Sequence, residues 1–237
     1  MTGLEVIHQT IRSCQDCALH RGRIHAVPGE GAAHAEIMFI GEGPGFNEDK
    51  EARPFVGAAG QFLNELLGSI GLVRQDVFIT NMVKCRPPNN RDPYPGETQA
   101  CSHYLDEQIE AIKPRIIVPL GRHALARWFP NQPIGKLRAQ PKTIGNLTIF
   151  PLYHPAAALH NGGLRSTIVE DFARLGSLLK DLIANTPEDA VQISGVNTEA
   201  VEAPYGARLV PNMPPNEMEA DLPEPDLEPP AQQLSMF

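Results

Sequence analysis

Glu36-Ile37-Met38-Phe39-Ile40-Gly41-Glu42-Gly43-Pro44-Gly45 is the stretch that decides the fold. Five residues, four of them apolar, run into a turn with three glycines in five positions. An unbroken apolar run of this length bounded by turn residues reads as a buried strand. The glycines let the backbone turn where side chains would clash and leave main-chain groups open to a flat ligand. In open α/β sheets, ligands bind beyond the carboxyl ends of strands. Phe46-Asn47-Glu48-Asp49 follows directly, so Glu42, Glu48 and Asp49 bring three carboxylates to the mouth of the turn. Arg53-Pro54-Phe55-Val56-Gly57-Ala58-Ala59-Gly60 then sets an aromatic ring just before a helix.

Working outward, residues 3–13 alternate at helical spacing and deliver Cys14 and Cys17. Residues 58–70 read as a helix with Phe62, Leu63, Leu66, Leu67 and Ile70 on one face and Gly71 as its stop. Residues 77–80 form a second strand that ends at Asn81, before the proline-stiffened stretch Lys84-Cys85-Arg86-Pro87-Pro88-Asn89-Asn90-Arg91. A helix over about residues 97–112 carries Cys101. A third strand, 115–120, stops at Gly121, and a fourth, 147–153, stops at His154. Residues 156–164 are expected to be a loop, and a last helix spans about 166–184. Strands alternating with helices predict a parallel sheet covered on both faces. Glu42, Asn81, Gly121 and His154 would then converge along one edge of it.

The net charge of −8 conceals an uneven distribution. From residue 187 onward there are ten acids and one base, whereas residues 1–186 carry 19 bases and 18 acids. The predicted domain, residues 1–186, is therefore near neutral. Residues 187–237 form an acidic, proline-rich tail without apolar periodicity, which reads as disordered. A near-neutral domain binds nucleic acid only where its bases cluster; Lys84, Arg86 and Arg91 lie within eight residues. The chain has no apolar run long enough for a membrane span, and its start lacks the layout of a signal peptide. The expected location is the cytoplasm, in association with the nucleoid, and the expected state is a monomer.

Four cysteines, Cys14, Cys17, Cys85 and Cys101, comprise one Cys-x-x-Cys pair and two distant partners. Disulfides are rare inside cells, so the set reads as a shared metal site. Zinc is one occupant. An iron–sulfur cluster is the other, because paired zinc knuckles are usually both short and the second pair here is separated by fifteen residues. Elsewhere, an amide, a ring, an imidazole and carboxylates can build a pocket for a planar heterocycle. Asn81 offers a donor and an acceptor to a base edge, Phe55 can stack on the base, and His154 can donate to a carbonyl that gains charge.

These stretches, Gly-Glu-Gly-Pro-Gly…Glu-Asp, Arg-Pro-Phe-Val-Gly-Ala-Ala-Gly, Asn-Met-Val-Lys-Cys-Arg-Pro-Pro-Asn-Asn-Arg and Tyr-His-Pro-Ala-Ala, resemble the family 4 uracil-DNA glycosylases in order and spacing across residues 1–185. The resemblance implies a three-layer α/β/α sandwich with a four-stranded, mainly parallel sheet, and a [4Fe–4S] cluster on the four cysteines. It implies hydrolysis of the N-glycosidic bond of uracil in DNA. Asn81 would read the uracil edge, Phe55 would stack on the ring, and Gly41, Glu42, Gly43, Asn47, Glu48 and Asp49 would line the pocket. His154 would stabilise the departing base. Glu48 is the first candidate to orient the water and Glu42 the second. Lys84, Arg86, Arg91 and Arg165 are candidate phosphate contacts, and Leu159 is a candidate wedge for the gap left by the flipped nucleotide. Phe46-Asn47 stands where many members of the family are more acidic.

The last five residues, Gln233-Leu234-Ser235-Met236-Phe237, resemble the short motif by which bacterial proteins dock on the replication sliding clamp. Two other functional readings fit parts of the sequence. One is a non-catalytic iron–sulfur DNA-binding module or redox sensor. The other is a zinc-stabilised nucleotide hydrolase, which the absence of a Walker lysine argues against.

Overall fold

A computed structural model describes residues 3–184 of the chain. The acidic tail and the motif at residues 233–237 lie outside the described residues. Six strands form one sheet: β1 (Glu30–Gly31), β2 (Ile37–Gly41), β3 (Phe78–Asn81), β4 (Ile116–Pro119), β5 (Lys142–Ile144) and β6 (Leu147–Ile149). Their order is β1-β3-β2-β4-β6-β5. The four central strands are parallel and match the four expected from the apolar runs. The sheet is wider than the expected four because β1 and β5 add antiparallel edges. Both edge strands are two or three residues long and lack an apolar run. Gly145, at φ +58°, turns β5 into β6 through the pair Gly145-Asn146, a dipeptide that marks a tight hairpin.

Residues of β2 alternate between two cores. Ile37 and Phe39 face one layer with α3 (Ala58–Ser69) and α8 (Leu164–Ala184). Met38 and Ile40 face the other, against α1 (Gly3–Ser13), α4 (Pro95–Ile112) and α5 (Gly121–Ala126). Burial on both faces explains why β2 is apolar throughout rather than alternating. The stripe Phe62, Leu63, Leu66, Leu67 of α3 is buried, as are Ile168, Phe172 and Leu175 of α8. Phe172 stacks on Phe39 with ring centroids 5.9 Å apart. The result is a three-layer α/β/α sandwich. A third apolar cluster joins Ile11 of α1, Val83 and Tyr104 of α4 around the cysteines.

The register brings strand ends together. Gly41 pairs with Asn81 across β2 and β3. Gly121 donates its N–H to the Leu152 carbonyl at 2.8 Å, which draws the start of α5 beside the segment leading to His154. Three short helices complete the site side: α2 (Phe46–Glu51), α6 (Ile134–Leu137) and α7 (Ala156–His160). The expected loop after His154 thus begins as a helical turn, with Ala156, Ala157 and Ala158 supplying helix-favouring residues.

A candidate active site beside a cysteine centre

Gly41 lets two candidate side chains meet. A Cβ there would come within 2.4 Å of Asn81 Oδ1 and 2.7 Å of Phe55 Cζ. Only a residue without a side chain leaves that space. Asn81 is buried at the end of β3, and its main chain is fixed by the ladder to β2 and by the Met82 N–H to Gly41 carbonyl bond of 2.9 Å. Among the described residues, no group takes up the Asn81 carboxamide, so its donor and acceptor remain for a ligand.

Phe55 is held in an unusual backbone conformation, φ +53°, which a bulky residue adopts only when its surroundings compel it. Arg74 donates to the Phe55 carbonyl at 3.1 Å and to the Pro54 carbonyl at 2.5 Å, while its Nε binds Glu30 at 2.6 Å. Gly60 admits the Phe55 carbonyl so closely that a Cβ would lie 1.7 Å from its oxygen. Glu48 clips the same loop to the glycine turn. Its Oε1 accepts the N–H groups of Val56 and Gly57, each at 2.9 Å, and its Oε2 accepts that of Gly45 at 3.1 Å. Asn47 lies alongside, its amide next to Gly57.

His154 faces Phe55, with ring centroids 5.4 Å apart and planes 26° apart. Its Nδ1 accepts the Ala156 N–H at 3.1 Å. Burial pulls its pKa down to about 4, with the Glu48 carboxylate pulling the other way. The ring is therefore neutral near pH 7, and the bond at Nδ1 leaves the proton on Nε2. Gly121, at φ +86°, packs against His154, since a Cβ would lie 3.2 Å from the histidine's own.

Glu42 sits at the rim. Its carboxylate is 3.8 Å from His123 Nε2, and burial, with Asp92 adding to it, raises its pKa against the pull of His123. Glu42, Asp92 and His123 present ligand atoms within 4.8 Å of one another, but Arg122 already fills this group, donating to His123 at 2.7 Å and to Asp92 at 3.0 Å. Sequence reasoning missed His123 and Arg122, which carry no motif of their own.

Two sequence expectations are corrected. Asp49 does not line the cleft: its buried carboxylate accepts the N–H groups of Ile24 and His25 at 2.9 and 3.2 Å and ties down the preceding loop. Lys84 is not a surface cation. It is buried, and its ammonium donates to Thr80 Oγ1, the Asn81 carbonyl and Gln108 Oε1 at 2.7, 2.8 and 2.7 Å. Those acceptors turn the side chain inward, away from any phosphate.

The remaining candidates stay at the surface. Arg86 lies over the exposed Phe46 ring at 5.1 Å and donates to Asn90 at 2.7 Å. Arg91 holds Glu97 through two bonds of 2.7 and 2.8 Å, and Arg165 pairs with Glu65 at 2.5 Å. Arg86 alone of the three has no carboxylate partner among the described residues. Leu159 is half exposed on α7.

The four cysteines line one cavity with Ile11, Lys84 and Tyr104. Their sulfurs receive donors suited to ligating thiolates: Arg23 Nη1 to Cys85 at 2.9 Å, the Lys84 N–H to Cys101 at 3.3 Å and the Asp16 N–H to Cys14 at 3.5 Å. Burial pushes the Cys101 thiol up to about 11 and raises that of Cys85, so a bound cation has to take up the charge when these sulfurs act as ligands. Four thiol groups around one cavity, with N–H donors aimed at three of them, fit a metal centre.

Comparison with known proteins identifies the family. A model described as "Uracil DNA glycosylase superfamily" matches residues 28–175. A type-4 uracil-DNA glycosylase of Saccharolobus solfataricus is 51% identical over 189 residues, spanning 76% of this chain and 88% of the relative. One from Archaeoglobus fulgidus is 45% identical over 187 residues, 75% of this chain and 94% of the relative. One from Thermotoga maritima is 43% identical over 182 residues, 75% of this chain and 95% of the relative. The chain belongs to the uracil DNA glycosylase superfamily and, within it, to the type-4 uracil-DNA glycosylases.

Proposed function

We propose that the protein excises uracil from DNA by hydrolysing the N-glycosidic bond, leaving an abasic site. The observation that carries this is the convergence of Gly41, Phe55, Asn81 and His154, with the Asn81 carboxamide uncommitted and His154 offering Nε2–H. A duplex hides the glycosidic bond, so the nucleotide is extruded first, at a cost of a few kcal/mol. Asn81 pairs with the uracil N3–H and O4, Phe55 stacks on the ring, and Gly41–Gly43 and Asn47 close around it.

As the bond between C1′ and N1 breaks, negative charge moves onto the base and the sugar gains oxocarbenium character. Neutral His154 donates Nε2–H to O2 of the departing uracil, where the charge accumulates. A donor aimed at developing charge contributes more in the transition state than in the ground state. Glu48 lies close enough to influence His154, and its three amide bonds leave part of its acceptor capacity for a water. Glu48 would then hold the nucleophile and favour the cationic sugar, while Glu42, at the rim with His123, is the alternative. The water oxygen bonds to C1′, and its proton passes to the carboxylate.

The four cysteines would hold a [4Fe–4S] cluster, which supplies a crosslink between α1, α4 and the segment after β3. Arg86, Arg91 and Arg165 would meet phosphates and Leu159 would fill the vacated stack. Residues 233–237 would dock on the sliding clamp, and deleting them should abolish clamp binding without changing excision on free oligonucleotides.

The test is incubation with a uracil-containing oligonucleotide followed by alkali. Strand cleavage at uracil is expected, and its absence with an intact, metal-loaded protein would refute the assignment.

A further inference from the structure

We propose that Lys84 is a positioning residue that ties the uracil-reading end of β3 to the cysteine centre. The proposal rests on the reading of Asn81 as the group that recognises uracil. Lysine is seldom fully buried, and Lys84 is the sole buried lysine or arginine among the described residues. Its three ammonium protons go to three neutral oxygens, Thr80 Oγ1, the Asn81 carbonyl and Gln108 Oε1, and no carboxylate among the described residues accompanies it. Taking an ammonium out of water without a counter-charge is costly, so a purely structural role would be served better by an apolar side chain.

The same residue reaches the cysteine centre through its backbone. The Lys84 N–H donates to Cys101 Sγ, its carbonyl accepts the Val27 N–H at 2.7 Å, and Cys85 is its neighbour in the chain. Lys84 is also among the residues that line the cysteine cavity. One residue thus touches both sites: its N–H and its neighbour Cys85 belong to the cysteine centre, and its Nζ holds the Asn81 main chain, from which the carboxamide projects towards Phe55 and Gly41.

The test is a double-mutant cycle between Lys84→Met and Asn81→Ala in the metal-loaded protein. Binding of free uracil is read by equilibrium dialysis, excision by kcat/KM, and the centre by iron content and visible absorbance. Lys84→Met should keep its iron and its absorbance, weaken uracil binding about tenfold and lower kcat/KM by a similar factor, with affinity for undamaged DNA unchanged. In the Asn81→Ala background it should have little further effect, because the residue it positions is already gone. Should Lys84→Met fail to accumulate, Thr80→Val combined with Gln108→Leu removes two of the three oxygens that hold the ammonium against β3, and the same cycle is read. Additive losses, wild-type uracil binding, or loss of iron along with uracil binding would overturn the tie. If the wild-type protein neither binds nor releases uracil, the reading of the site itself fails, a result separate from an active wild type with an additive cycle.

Discussion

His154 shows how one hydrogen bond and one packed ring set the chemistry of a side chain. With its proton on Nε2 and its pKa held down to about 4 by burial, it should remain a neutral donor across the range where ordinary histidines titrate. Excision should therefore show no inflection from His154 near pH 6.5, and ¹⁵N NMR of the ring should report the Nε2–H tautomer down to about pH 5. The sign for stability follows from the same depression. Above the ordinary histidine value both folded and unfolded chains hold the ring neutral. As pH falls from about 6.5 towards 4, the unfolded chain binds the proton first, so the folded state loses stability across that window. His154→Gln should lose less stability between pH 7 and pH 5 than the wild type does, as read by urea unfolding. The same substitution should lower kcat by about 10²–10³-fold, the usual loss on removing a donor aimed at developing charge. Asn81→Ala should act mainly on uracil binding.

The meeting of Asn81 and His154 beside Phe55 was legible because both end apolar runs, and strand ends of a parallel sheet converge. Lys84 was not. In the sequence it belongs to a basic cluster with Arg86 and Arg91, whereas its inward turn depends on Gln108, twenty-four positions away on α4. Asp49 was misplaced for a similar reason, since the amides that capture it belong to residues 24 and 25.

At the scale of elements, the segment carrying Phe55 is the most constrained part of the site. Arg74, Glu30, Glu48 and Gly60 hold a phenylalanine in a backbone region it would not choose. Gly60→Ala should therefore displace the Phe55 carbonyl rather than fill free space. The expected result is a fall in stability of about 1–3 kcal/mol, typical of overpacking, together with weaker uracil binding. Gly68→Ala serves as the control, because a Cβ there meets nothing within 4 Å, and it should leave both unchanged or slightly raise stability. Thermal unfolding and uracil dialysis check the pair. The long helices and central strands could be read from periodicity. The short elements β1, β5, α2 and α7 could not, since two to six residues carry too little pattern, although Gly145-Asn146 was a usable hairpin signal.

For the whole domain, the cysteine centre joins segments that the sheet does not. Cys14 and Cys17 follow α1, Cys85 follows β3, and Cys101 sits in the second turn of α4; the first pair is more than sixty residues from the second. Crosslinking chain segments so far apart removes conformational freedom from the unfolded chain, and a structural metal commonly contributes several kcal/mol to folding. Its influence should be uneven. The cysteines pack with Ile11, Val83 and Tyr104, whereas α3 and α8 belong to a separate core on the opposite face of the sheet. Removing the metal, or replacing Cys85 by Ser, should lower Tm and speed hydrogen exchange in α1, in the segment from residue 84 to 94 and in the first turns of α4. Exchange in α3 and α8 should change least below the unfolding transition. A uniform rise across both layers would mean that the centre acts on global stability alone, and the idea of a local clamp would fall. If exchange accelerates only on the cysteine side, Asn81 and the basic rim lose their support first, and uracil binding should fail at temperatures where the opposite layer is still intact.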